Sequence, residues 1–73
     1  MNVHPLRIWR VAQGLSQAEI AQKLGVTQVT ISKWERGEAI PHTRSATMIE
    51  KISNGTVRPG DLVAAYEERN RAA

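Results

Sequence analysis

Cysteine is absent from this 73-residue chain, which excludes a disulfide framework and a thiolate metal site as supports for so small a fold. Packing alone must hold it together. Histidine occurs only at His4 and His42. Neither lies at a recognisable zinc-ligand spacing, so no metal is expected and both are read as surface residues. Aromatic residues are equally sparse: Trp9, Trp34 and Tyr66 form no alternating strand pattern, which argues against a platform for stacking single-stranded bases. No stretch approaches the roughly twenty apolar residues of a membrane span, and the first residues lack the basic segment and apolar run of a secretion signal. The expected location is the cytoplasm.

So short a chain forms one small domain whose thin core leaves little room for an enclosed active site. No carboxylate pair, nucleophile beside a base, or phosphate-cradling loop stands out, so the reading is a binding protein with no enzymatic activity and no cofactor. Ser32 and Lys33 are neighbours on a helix and do not face one another, so they do not form a dyad. The formal net charge of +3 suits a polyanionic partner, although such an excess also serves solubility.

What is present is helical punctuation. From Pro5 to Gln13, Leu6, Ile8, Trp9, Val11 and Ala12 recur at helical spacing, with proline at the start and Gly14 beyond the end. Ser16 and Glu19 form a capping box opening a second helix over Gln17 to Leu24, Gly25 suits the left-handed residue that ends it, and Thr27 caps a third. That third helix, Gln28 to Arg36, places Ile31 and Trp34 inward and leaves Gln28, Val29, Ser32, Lys33 and Arg36 on the opposite face. Pro41 marks a loop over Glu38 to His42. Thr43 or Ser45 caps a fourth helix through Ser53, with Ala46, Ile49 and Ile52 as its apolar stripe and Asn54-Gly55 as its end. A fifth begins near Pro59 with Leu62, Val63 and Tyr66 on its apolar side, and its polar end, about residues 67–73, is expected to fray. No repeat or linker divides residues 1–73, which read as a single domain.

Polar side chains on an outward helix beyond a tight corner suit the edges of base pairs, and so point to sequence-specific binding of duplex DNA. Val29 is either an ordinary exposed valine or a contact for a thymine methyl group. Its position beside Gln28 and Lys33 favours the second.

Residues 5–53 resemble the Cro and lambda-repressor type of helix-turn-helix, the Xre-like family. The matching elements are Leu6 and Arg10, Gly14-Leu15-Ser16-Gln17, Glu19-Ile20-Ala21, Leu24-Gly25-Val26, Ile31-Ser32-Lys33-Trp34-Glu35-Arg36-Gly37, and Pro41. The resemblance implies an all-α, five-helix lambda-repressor-like domain, with the helix-turn-helix over residues 17–36 and the third helix in the major groove. It gives Gln28 the role of bidentate partner to adenine, with Val29 and Ser32 completing the reading surface. Lys33 contacts guanine or only phosphate. Gln17 contacts phosphate and steadies Gln28, or is a solvated first-turn residue; Thr27, Arg36, Thr43 and Arg44 hold the DNA backbone. Arg10 and Glu35 stand where the family joins its first and third helices by an ion pair, here a clamp or incidental surface charges. Arg58 stands where small Cro-like regulators often have threonine, which leaves the start of the last helix open.

The implied function is a transcriptional regulator, a repressor acting as a homodimer on a palindromic operator. No membrane or small-molecule partner is expected. The dimer surface is Leu62, Val63 and Tyr66, or the region of Ile40 and Pro41, unless those side chains close the monomer's own core. The alternative is an antitoxin-type regulator that also binds a protein partner.

Overall fold

The helical spacings become five helices in the computed structural model, which describes residues 3–72 and the side chains through Arg71. They are α1 (Pro5–Ala12), α2 (Gln17–Leu24), α3 (Gln28–Glu35), α4 (Thr43–Ile52) and α5 (Pro59–Ala72). The described residues contain no strand, so the fold is all-α. Leu6, Ile20, Ile31, Ile49, Val57 and Leu62 are fully buried at its centre, and burying each such side chain stabilises the fold by about 1.5–3 kcal/mol. Trp9 and Trp34 close the core beside them. Ile52 and Val63, expected on apolar stripes, remain partly exposed.

His4 is not the surface residue expected. It is buried at the N-cap of α1, where its Nδ1 accepts the Leu6 amide at 3.1 Å. Burial pushes the imidazole below its ordinary pKa, against a smaller upward pull from the charge of Glu35. The α2 capping box closes on both sides: the Glu19 amide donates to Ser16 Oγ at 3.0 Å, and the Ser16 amide to Glu19 Oε1 at 2.9 Å. These bonds hold the Glu19 carboxyl below its usual range. At the corner, Gly25 takes φ +71° and the Val26 amide reaches back to the Ala21 carbonyl at 3.0 Å. This left-handed step costs a Cβ-bearing residue and turns the chain directly into α3. Thr27 Oγ1 then accepts the Thr30 amide at 3.2 Å.

The cap of α4 differs from the sequence expectation, whereas α5 starts at Pro59 as expected. Neither Thr43 nor Ser45 caps α4: His42 is the N-cap and makes no side-chain hydrogen bond, Thr43 is already helical, and Ser45 is buried on the inward face with Ala46. At α5, Arg58 lacks a capping side chain, and the cap comes from inside the helix, where Asp61 Oδ2 accepts the Arg58 amide at 2.9 Å. The loop before it is tied by the buried Ser53, whose Oγ accepts the Val57 amide at 3.0 Å. α5 runs through Ala72, and near its end Arg69 and Asn70 donate to the carbonyls of Arg36 and Gly37; Ala73 lies outside the described residues.

Arg10 and Glu35 meet as a largely enclosed clamp, with side chains only 11% and 4% exposed. Arg10 Nε and Nη2 donate to the two carboxylate oxygens at 2.7 and 3.0 Å, and Nη1 donates to the Leu15 carbonyl at 2.8 Å. Gln17 Nε2 adds a bond to Glu35 Oε1 at 3.1 Å. The hydrogen bond to Glu35 holds the Arg10 guanidinium above its usual pKa. The ion pair thus joins α1, the α1–α2 loop, the first residue of α2 and the last of α3.

Two outcomes follow. Glu35→Ala leaves a largely enclosed guanidinium without its carboxylate, so urea unfolding should report a loss of up to about 3 kcal/mol, while Arg10→Met with Glu35→Leu recovers most of it. A double variant as unstable as the single would remove buried charge as the cause. His4 must be neutral to accept the Leu6 amide, so its folded pKa lies below the unfolded value of 6.5. Its contribution is complete above that value and is lost as pH falls through the folded pKa. The melting temperature should therefore drop more steeply below pH 6.5 in the wild type than in His4→Asn, which caps without titrating. Parallel pH profiles would contradict this.

Candidate nucleic-acid interface

α3 has two opposed faces. Ile31 and Trp34 are buried in the core, whereas Gln28, Val29 and Lys33 are exposed. Val29, at 63%, has the highest exposure among the large apolar side chains left in solvent. Residues 28, 32 and 36 follow one row along the helix and residues 29 and 33 the next, so their side chains share one outward surface. Ser32 is half-buried, and its Oγ accepts a hydrogen bond from Arg36 Nη1. Its hydroxyl proton is free to be donated elsewhere.

The flanking residues are engaged to different degrees. Gln17 is half-buried and donates its amide to Glu35, so it braces the protein, and no hydrogen bond joins it to Gln28. Thr27 is exposed at the start of α3, where its hydroxyl lies 2.9 Å from that of Thr30. Thr43 and Arg44 are exposed at the start of α4. With no side-chain cap from His42, first-turn amides of that helix lack the usual intramolecular acceptor, which favours an anion there. Arg36 is exposed, and its Nε donates to Glu38 Oε2 at 2.7 Å. This bond raises the pKa of the guanidinium and lowers that of the carboxyl, with smaller contributions to the latter from Arg69 and Lys33. Both groups face solvent, so a phosphate can compete for Arg36.

Of the residues expected at a dimer surface, Pro41 and Leu62 are buried within this chain. Ile40 and Val63 are exposed and Tyr66 is half-buried, so only these three keep area for a second copy. Sequence reasoning missed Glu38, which holds Arg36 beside Ser32, and Arg69 and Asn70, which reach the end of α3. A signal for Asn70 was present: Tyr66 and Asn70 are four apart, on one helical face continuous with the buried Leu62.

Among the described residues no helix is long and apolar enough to cross a membrane. The chain is 31% identical over 67 residues to the HTH-type transcriptional activator BcrR of Enterococcus faecalis, a match covering 86% of this chain and 33% of the relative. It therefore spans about a third of the length of that curated relative. No solved structure matches. A family model described as Helix-turn-helix matches residues 6–56, from the first core leucine of α1 through the loop before α5, and on that match the chain belongs to the helix-turn-helix family.

Proposed function

We propose that this chain is a transcriptional regulator that reads double-stranded DNA by laying α3 in the major groove. The observation that carries the reading is the division of α3 into a buried anchor, Ile31 and Trp34, and an outward row of Gln28, Val29 and Lys33. Exposing an apolar valine between polar neighbours is useful where a thymine methyl group can cover it. Gln28 matches the donor and acceptor pair of adenine N6 and N7, Lys33 is a donor for guanine or phosphate, and Ser32 retains a hydroxyl donor beside them. Thr27, Arg36, Thr43 and Arg44 hold the phosphates on either side. Gln17 supports the reading through Glu35 and its place at the start of α2, a helix terminus that favours an anion.

One short helix reads only a few base pairs, so two copies across a dyad supply specificity that one lacks. The chain acts in this reading as a homodimer on a palindromic operator, with half-sites about 34 Å apart, and Ile40, Val63 and Tyr66 form the self-contact. It works in the cytoplasm, where its duplex is found. Repression needs nothing beyond occupancy of a promoter. Activation is the second reading, favoured by the name of the Enterococcus faecalis relative, and a footprint upstream of the promoter rather than across it selects it.

Selection from a random duplex pool supplies the operator for the test. Gln28→Ala should then lose about 1–3 kcal/mol of operator affinity at one base position, with binding to random duplex nearly unchanged. Arg44→Ala should weaken both and lower the salt slope by about one. Equal losses for Gln28→Ala on operator and random DNA would contradict the assignment.

A further inference from the structure

The last turn of α5 reaches across the fold to the end of α3. Arg69 Nη1 donates to the Arg36 carbonyl, and Asn70 Nδ2 donates to the Gly37 carbonyl at 3.4 Å while also bonding the Tyr66 carbonyl at 2.7 Å. Gly37 admits this approach. Its φ is +71°, and a Cβ built there would lie 3.0 Å from Arg69 Cβ and 3.1 Å from Arg69 Cγ. The Arg36 carbonyl, at the C-cap of α3, is one that a helix end leaves without an intrahelical partner, the Gly37 carbonyl follows it in the turn, and a guanidinium there also meets the negative end of the helix dipole.

We propose that Arg69 and Asn70 are positioning residues for DNA reading, fixing the orientation of α3 from its C-terminal end without touching DNA. The proposal rests on the reading of α3 as the recognition helix. The clamp through Glu35 holds α3 from its inward face. An eight-residue helix is too short to be stable alone, so freeing its far end lets the outward row shift against base edges. Contacts to bases require defined geometry, whereas attraction to phosphates tolerates movement. Loss of the α5 contacts therefore lowers discrimination before it lowers general affinity.

The experiment compares full-length wild type, Arg69→Ala, Arg69→Lys and Asn70→Ala on the selected operator and on random duplex, across a salt series. Amide hydrogen exchange at Gly37 and Glu38 is measured on the free proteins. The expected result is a loss of about tenfold on the operator for Arg69→Ala and Asn70→Ala, with less than about twofold on random duplex. Their salt slope should be unchanged, exchange at both amides faster, and Arg69→Lys should recover most of the loss. Equal losses on both duplexes with a slope lower by about one would make Arg69 a direct phosphate contact and overturn the proposal. Unchanged discrimination would overturn it as well. If the wild type selects no sequence, the DNA reading itself fails; the exchange data then decide the clamp separately, and unaltered exchange in Arg69→Ala would remove it.

Discussion

The carboxylate of Glu35 is the constraint on which the rest of the structure depends. It accepts from Arg10 twice and from Gln17 once, while the same guanidinium holds the Leu15 carbonyl. Charge this deeply enclosed gives little net stability once its desolvation is counted. What it gives is angle. A carboxylate satisfied by a fork of donors from α1 and by an amide from α2 has one arrangement that leaves nothing unpaired, and any rotation of α3 breaks it. The apolar anchors Ile31 and Trp34 do the larger share of the holding, yet apolar contact is non-directional and tolerates some sliding. Direction comes from the polar contacts.

The shortness of α3 makes this division of labour necessary. α3 has eight residues, below the length at which helices are stable in isolation, so its existence and its orientation are both properties of its surroundings. Thr27 caps one end, Gly25 sets the entry corner, and the α5 side chains meet the other end. Within such a frame the outward side chains can be changed with little cost to the fold, because those of Gln28, Val29 and Lys33 are exposed and lie outside the core. A family can thus keep one scaffold and vary what it reads.

Much of this was legible in the residues because it is written in local rules. The α2 capping box, Gly25, Thr27 and the spacing of Ile31 and Trp34 each act over a few positions, and the boundaries of α2 matched residue for residue. The pairing of Arg10 with Glu35 came from family resemblance, since nothing in spacing places residues 25 apart together. Features that depend on tertiary contact were hidden. His4 reads as a surface residue until the core forms against it, and nothing in the polar run 67–72 places Arg69 and Asn70 beside the carbonyls of Arg36 and Gly37. The cap of α5 was missed for a different reason: the acceptor is Asp61, inside the helix, while the expectation looked only at Arg58. The outward row of α3 was readable as a surface, because the inward spacing of Ile31 and Trp34 leaves Gln28, Val29 and Lys33 in solvent.

The central claim is that this outward row meets base edges in the major groove, and a cycle between protein and DNA tests it most directly. The adenine opposed by Gln28 in the selected operator is replaced by 7-deazaadenine, which removes the N7 acceptor and leaves the minor groove untouched. Binding of the wild type should weaken, and binding of Gln28→Ala should not weaken further, because the partner of that atom is already gone. A duplex whose 7-deaza substitution is silent while minor-groove substitutions abolish binding would contradict the account.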